Sequence, residues 1–402
     1  MAILLAAPMV AARAGEKDPF EGIEPPKPPP PEKPAGRKPK PWTDGLFGEN
    51  FTLKREIMLQ ASHGDGELYS RHSLGLEVLK KWSTPTATVA AFNTQFRFVR
   101  RDNPIEVSND HEGMGREGWY GEFHNFYLDL YNVFNPVMSD AAKGANIGRF
   151  NFRIGRFYLP MGLNLQTDTH GTVLQLSNER NFGFERDWYA GFWGSLNNYL
   201  NYDLYYLAGS GYYPKFRSQS GMLGARLSLA NSFDTDYGLQ GGLAVMAGER
   251  LDKMAVERSP SVAERADGHA VDTFRVGLDT RYRCNIPTGW LTFTFEGTGG
   301  RDERDAVLTQ LYQAEYLHRS RKVGVAAQYR RFWQDIGRGP MMPGMERPGD
   351  VDSSIAFDIT YYFRNDITQS NLHWIKLNVE QQLQRQMGDR NTIVTLQYYR
   401  YW

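Results

Sequence analysis

A single cysteine, Cys284, is present among the 402 residues of this chain. One thiol excludes an internal disulfide framework, a cysteine-rich zinc site and the attachment of c-type haem. The 46 basic and 46 acidic residues leave a formal net charge of +0, so the composition does not indicate nucleic acid as a partner. We expect Cys284 itself to be a small apolar side chain in the wall of a sheet.

Long apolar runs are also missing after the N-terminus. No stretch of about 18 apolar residues occurs there, which excludes helices that cross a membrane. The chain is hydrophilic on average, although aromatic residues make up 13% of it. A transmembrane β-barrel is compatible with this composition, because its wall alternates apolar residues that face lipid with polar residues that face the lumen.

Motifs for catalysis and metal binding are scarce. The histidines are scattered without the short spacing of metal ligands, and His63 has no nucleophile beside it in its glycine-rich turn. Asp234 and Asp236 form a fragment of a calcium loop without its closing glutamate. The sequence therefore predicts no catalytic residue, no metal site and no cofactor. A barrel enzyme such as a membrane phospholipase is one alternative function, but it would need a serine and a histidine on neighbouring strands, and the sequence nominates no such pair.

The first 45 residues differ in composition from the rest of the chain. Residues 1–14 read as a signal peptide, truncated at its start or weak, because an apolar run precedes the small-residue site Ala12–Ala14 but no basic region precedes the run. Residues 15–45 are rich in proline, which lacks an N–H and fixes φ, so they predict an extended periplasmic tether. Residues 46–402 are predicted to form one β-barrel domain.

Apolar and polar residues alternate with a period of two through residues 46–402. In Asn146–Leu159, for example, Phe150, Phe152 and Ile154 alternate with arginine and asparagine residues. Such alternation places apolar and polar side chains on opposite faces of a strand. About 16 segments of this kind occur, each about 10 residues long, which is the length that a tilted strand needs to cross a bilayer.

The connections between the predicted strands alternate in length. Long gaps such as Arg250–Gly268 follow odd-numbered strands, and short gaps such as Asn197–Asn198 follow even-numbered ones, with Asn135–Ala145 as an exception. Short turns on one side and long loops on the other are typical of outer-membrane barrels, in which the turns are periplasmic. Aromatic residues near the strand ends are expected to form interfacial girdles. They include Tyr69, Trp82, Trp119, Tyr158, Trp333 and Trp402.

Two segments resemble a known family. The last strand, Asn391–Trp402, ends on an aromatic residue preceded by apolar residues at alternate positions, with Arg400 as a departure. It resembles the closing strand of bacterial outer-membrane β-barrels. A second segment is similar to a stretch of the phosphate-selective and related porins, which carries Gly-Arg, an aromatic residue and Pro-x-Gly at the end of a strand. In this chain these residues are Gly155, Arg156, Phe157, Pro160 and Gly162.

The resemblance implies an all-β fold, a transmembrane antiparallel β-barrel of about 16 strands with short periplasmic turns and long extracellular loops. It implies contact with outer-membrane lipid, passive diffusion of small hydrophilic solutes through a water-filled channel, and a homotrimer, which is common among 16-stranded porins. Barrels that sheathe electron-transfer proteins look similar. The alternative function is therefore a sheath or scaffold for a periplasmic or multihaem cytochrome partner.

The same alternation predicts which charged side chains face the lumen. Arginines that line a constriction favour anions, which gives a weak lean to anion transport. The alternative is that they pair with lumenal carboxylates and stiffen the wall. The Pro160–Arg186 loop folds either into the lumen, where it would set the constriction, or over the surface. The predicted pore-lining residues are Arg149, Arg153, Asp129, Asp203, Arg275, Asp279, Arg281, Arg283 and one of Arg330 and Arg331.

Overall fold

The computed structural model describes residues 50–64, 66–83, 88–102, 118–134, 150–163, 174, 177–182, 184–197, 199–211, 221–229, 238–251, 270–303, 305–335, 351–366, 371–384 and 391–402. The predicted signal peptide and tether (residues 1–45), the residues that follow them up to residue 49, and Arg149 lie outside these residues. The gap Asn135–Ala145, which is longer than the alternation of short and long connections predicts, also lies outside them.

Sixteen strands and one short helix make up the described chain. The strands are β1 (Phe51–Gly64), β2 (Glu67–Ser83), β3 (Thr88–Asp102), β4 (Gly118–Leu130), β5 (Asn151–Tyr158), β6 (Arg186–Ser195), β7 (Leu200–Leu207), β8 (Gly221–Leu229), β9 (Gly238–Leu251), β10 (Ala270–Ile286), β11 (Gly289–Asp302), β12 (Asp305–His318), β13 (Val323–Gln334), β14 (Val351–Asp366), β15 (Asn371–Gln384) and β16 (Thr392–Tyr401). The helix α1 (Ser177–Phe182) lies between β5 and β6, and within the described residues no helix has the length and apolarity to span a membrane.

The strands form one closed antiparallel barrel in which each strand pairs with its neighbours in the sequence. β1 closes the wall against β16, with Ile57 opposite Arg400, and the backbones of Arg55 and Trp402 exchange hydrogen bonds of 2.8 and 3.0 Å. Closure leaves no strand with an unpaired edge, which a lipid environment requires. The predicted all-β fold and the number of strands are confirmed.

The two faces of the wall differ in chemistry as the alternation predicts. Large apolar side chains are exposed on the outer face, for example Leu278 at 50% and Leu396 at 54%. On the inner face of the same strand as Leu278, Arg275 and Asp279 are buried. An apolar surface that encircles a barrel is the surface that lipid covers.

The two rims of the barrel also differ. We call the rim at which β1 begins and β16 ends the terminal rim. Its connections include residues 84–87, 196–199, 287–288, 319–322 and 367–370, whereas residues 103–117, 159–185, 252–269 and 335–350 connect strands at the opposite rim. In outer-membrane barrels the short turns are periplasmic, so the terminal rim corresponds to the periplasmic side.

Two of the aromatic residues expected in the interfacial girdles are not there. Tyr69 is 8% exposed and Tyr158 is 4% exposed, and both are buried within the barrel. The hydroxyl of Tyr158 accepts a hydrogen bond from Arg186, and that of Tyr69 donates to Glu67 at 3.3 Å. Polar partners therefore hold these two rings, whereas Trp119 is 58% exposed on the outer face, as a girdle residue would be.

A backbone irregularity at Gly155 changes the alternation in β5. Gly155 has φ of +130°, and a Cβ at this position would lie 2.2 Å from the carbonyl oxygen of Phe126 in β4. The next residue, Arg156, is 1% exposed and donates hydrogen bonds of 2.7 Å to the carbonyl oxygens of Phe123 and His124. These carbonyls lie where the register between β3 and β4 shifts, so Arg156 supplies the donor that the interrupted ladder lacks.

We predict that Gly155→Ala lowers the free energy of unfolding by about 1–3 kcal/mol, because alanine disfavours the positive φ and its methyl group would meet the backbone of β4. Thermal unfolding in detergent micelles, followed by circular dichroism, measures this. Gly299→Ala in β11 is the matched control, since the nearest atom to its Cβ would be 3.7 Å away. Equal loss of stability in the two variants would contradict the argument.

Candidate functional site

The inner face of the barrel carries a series of buried ion pairs. Their members are arginines, one lysine and several carboxylates, and the side chains are largely buried. Removing one member of such a pair is costly, because the other is left as an uncompensated charge. Among the pairs are Arg97–Glu56 at 2.5 Å, Arg153–Asp129 at 2.6 Å, Arg226–Asp279 at 2.6 Å, Arg250–Asp302 and Arg275–Asp302 at 2.8 Å, Lys376–Asp358 at 3.2 Å, and Arg330–Glu380.

Arg153 and Asp129, both predicted to line the pore, form one of these pairs. The guanidinium of Arg153 donates from Nε and Nη2 to the two carboxylate oxygens of Asp129 at 2.6 and 2.8 Å. Its Cζ also lies 3.7 Å from the ring centroid of Phe157, 4.7 Å from that of Tyr127 and 5.1 Å from that of Trp193. Three rings and a bidentate carboxylate hold this cation in place and offset its charge.

Asp279 and Asp203 lie on either side of Arg226, a residue that the sequence analysis missed. Arg226 donates to both carboxylate oxygens of Asp279, at 2.6 and 2.7 Å, and its Nη1 also donates to the carbonyl oxygen of Gly162 at 2.6 Å. Asp203 is opposite Arg226 in the register of β7 and β8 but makes no ion pair with any described residue. The alternation of Leu223 and Leu227 with polar residues in β8 was the signal that could have identified Arg226.

The other predicted arginines contact hydroxyl groups of the neighbouring strand. Nε of Arg281 donates to Oγ1 of Thr294 at 3.2 Å, and Nε of Arg283 donates to Oγ1 of Thr292 at 3.5 Å. Both arginines lie on the same face of β10 as Asp279, so the structure brings this group together along one strand.

The register of β13 decides whether the side chain of Arg330 or that of Arg331 faces the lumen. Arg330 is 8% exposed and donates to Oγ of Ser354 at 2.5 Å and to Glu380. Arg331 follows it on the opposite face of the strand. Arg330 is therefore the inward residue of the two.

A cavity of about 750 Å³ lies inside the barrel between the wall and the chain that follows β5. The wall contributes acidic, basic and aromatic side chains, and residues 159–163 form the opposite side. A lining of this kind can solvate a polar solute without a single strong binding group. The lining includes Asp129, Tyr131, Arg153, Trp193, Asp203 and Arg226.

The loop between β5 and β6 crosses the interior to reach the distant wall. Thr309 of β12 donates to Oδ1 of Asn181 in α1 at 2.6 Å, and Arg275 of β10 donates to the carbonyl oxygen of Asn181 at 3.3 Å. Arg250 of β9 donates to the carbonyl oxygen of Phe182 at 3.4 Å. Because β12 lies seven strands from β5 in the order around the barrel, the described part of the Pro160–Arg186 loop lies in the lumen. The lumenal alternative is confirmed for the described part of this loop.

Charge and apolar packing both hold this loop in place. The C-terminal carbonyls of a helix carry partial negative charge and lack partners within the helix, so the cations of Arg250 and Arg275 stabilise the end of α1. Asp302 bridges the two arginines and prevents their mutual repulsion. Apolar loop residues pack with the inner wall in one buried cluster that contains Leu159, Met161, Phe182, Phe184, Tyr189, Tyr205, Leu207, Met222 and Met246.

We predict that Thr309→Val increases opening of α1 by about five-fold, because it removes one hydrogen bond of about 1 kcal/mol while keeping the shape of the side chain. Hydrogen–deuterium exchange of residues 177–182 measures the opening. Thr298→Val in β11 is the control, since Thr298 is also buried on the inner face but its hydroxyl makes no hydrogen bond with Asn181. Unchanged exchange in Thr309→Val, or equal acceleration in both variants, would contradict the assignment.

No family model matches the chain, and no curated protein matches it. Solved structures do resemble it. OprB of Pseudomonas putida is 10% identical with a TM-score of 0.55, and the match covers 88% of this chain and 94% of that one. An anion-selective porin from Comamonas acidovorans is 11% identical with a TM-score of 0.51, covering 88% and 99%. OmpF of Salmonella typhi, in complex with daunomycin, is 12% identical with a TM-score of 0.51, covering 88% and 97%.

At this level of identity the likeness concerns the fold. The outer face adds an independent observation, since its exposed apolar side chains need lipid and a closed β-wall is one of the two structures that can span a bilayer. Barrels of this type belong to the outer membrane of bacteria. The chain thus has the fold of the bacterial outer-membrane porins, with an apolar outer face that suits lipid.

Proposed function

We propose that the chain is a passive channel through the outer membrane for small hydrophilic solutes, in which no residue acts catalytically. The observation that carries this proposal is the polar cavity inside a closed barrel, bounded by a loop that is anchored across the lumen. Barrels of 16 strands are wide enough to leave an aqueous path. Solutes would cross by diffusion, selected by the size and charge of the path between the loop and the wall.

The pairing of the inner arginines supports weak charge selectivity. Arg153 is paired with Asp129 and Arg226 with Asp279, so neither arginine adds much net field to the lumen. The anion preference that follows from counting arginines is therefore proposed to be weak. Of the two interpretations of these arginines, the ion pairs favour a stiffened wall.

The loop in the lumen argues against the alternative function as a sheath for a multihaem cytochrome. A folded partner inside the barrel would have to displace α1 from Thr309 and Arg275 and expose the apolar cluster around Phe182. That rearrangement has a large free-energy cost, because it unpairs buried polar groups and exposes apolar surface. A channel is compatible with the loop where it lies. The homotrimer stays a prediction, since no contact in this single chain tests it.

We predict that Arg153→Gln shifts ion selectivity towards cations, because it leaves the negative charge of Asp129 uncompensated in the lumen. Asp129→Asn should shift selectivity towards anions, and the double variant should return close to the wild type. The expected change in the ratio of chloride to potassium permeability is a few-fold in each single variant. Reversal potentials of the purified protein in planar bilayers under a potassium chloride gradient measure this ratio.

Arg100→Gln is the control for this cycle, because Arg100 lies near the end of β3 with a side chain that is 46% exposed. It should leave the permeability ratio unchanged. Identical reversal potentials for the wild type and both single variants would remove the lining assignment. Absence of any conductance, together with a haem-stained band that co-purifies, would favour the sheath over the channel.

A further inference from the structure

The outer face at the terminal rim carries a patch of basic residues on four consecutive strands, β14, β15, β16 and β1. Arg400 is opposite His373 in the register of β15 and β16, and His373 is opposite Arg364 in the register of β14 and β15. Arg55 follows on β1, hydrogen-bonded through its backbone to Trp402. Since adjacent strands lie about 4.8 Å apart, these four side chains form one cluster, which we call the terminal-rim patch.

The cations of this patch differ from those inside the barrel. Arg55, Arg364 and Arg400 are exposed, and none of them forms an ion pair with a carboxylate among the described residues. Asp366 is the nearest acidic residue along β14. In a chain with equal numbers of basic and acidic residues, an outward-facing group of cations without paired carboxylates favours an external anion as its partner.

Aromatic rings hold two members of the patch. Cζ of Arg400 lies 4.6 Å from the ring centroid of Trp402. The ring of His373 lies 4.5 Å from that of Phe363 and 5.3 Å from that of Tyr398. A guanidinium that stacks on an aromatic face keeps its N–H groups free in its own plane, in the geometry that suits phosphate oxygens.

Apolar residues continue from the patch towards the middle of the barrel wall. On the outer face of the same strands, Ile359 is 58% exposed, Leu377 43%, Leu396 54% and Leu59 49%. Cations at the edge of an apolar belt, with aromatic rings between them, match the order of headgroup, interface and acyl chain in a phospholipid. A soluble anion has no apolar part that could contact this belt of residues.

We propose that the terminal-rim patch binds the phosphate of an anionic phospholipid in the periplasmic leaflet, with the acyl chains lying along the belt above it. Three arginines suit an anionic headgroup better than a zwitterionic one, because their positive charge outweighs the negative charge of Asp366, which follows Arg364 on β14. A cation beside an aromatic ring also occurs elsewhere on the terminal rim, where Cζ of Arg321 lies 5.3 Å from the ring centroid of Trp290 and the exposed Lys322 follows. This lipid site does not depend on the channel being open.

The test is native mass spectrometry of the purified full chain in a neutral detergent, titrated with phosphatidylglycerol or with phosphatidylcholine of the same acyl chains. The wild type should retain phosphatidylglycerol preferentially. The triple variant Arg55→Gln, Arg364→Gln and Arg400→Gln should bind it on the order of 100-fold more weakly at low ionic strength, from about five-fold per basic residue near an anionic surface. Circular dichroism spectra confirm that each variant is folded.

A second triple variant controls for the loss of positive charge. Arg100→Gln, Arg301→Gln and Arg331→Gln remove three arginines that lie towards the opposite rim, and the preference for phosphatidylglycerol should survive. Equal retention of the two lipids by the wild type, or the same loss in both triple variants, would overturn the proposal. Displacement of phosphatidylglycerol by inorganic phosphate at equal concentration would also overturn it, since it would indicate a site for a free anion.

Discussion

Backbone hydrogen bonding in a medium without water is the constraint on which the rest of this structure depends. Each N–H or C=O left unpaired in hydrocarbon costs several kcal/mol, so a sheet can cross a bilayer only if its first and last strands meet. Here β1 meets β16, and the backbones of Arg55 and Trp402 complete the ladder at the terminal rim. Once the wall is closed, each strand has an inner and an outer face, and the alternation of side chains assigns most residues to one of them.

Charged residues on the inner face are held by partners from beyond their immediate neighbours. Several ion pairs pass over one intervening strand and so brace the curved wall from within. Their long arginine side chains lie against the wall, which keeps the guanidinium close to a carboxylate in a confined space. These pairs are Arg97 of β3 with Glu56 of β1, Arg226 of β8 with Asp279 of β10, Arg250 of β9 with Asp302 of β11, and Arg330 of β13 with Glu380 of β15.

The loop after β5 and the terminal-rim patch show two uses of positive charge in one neutral chain. Inside, Arg250 and Arg275 share Asp302 and donate hydrogen bonds to carbonyl oxygens of α1, so both guanidinium groups hold the loop in place. Outside, Arg400 and Arg364 have aromatic and apolar surroundings and keep their charge available at the membrane surface. The difference follows from the partner that each face meets, which is protein within the barrel and lipid beyond it.

The sequence by itself determined the strands and the direction in which most side chains point, because alternation is a local property of the pleated backbone. Arg275 and Asp279 could be assigned to the inner face from Val276 and Leu278 beside them. The tertiary structure alone decided the ion pairs and the path of the loop, since Arg226 and Asp279 meet only when the barrel closes. It also decided the positions where alternation fails, such as Gly155, whose positive φ buries the side chains that follow it.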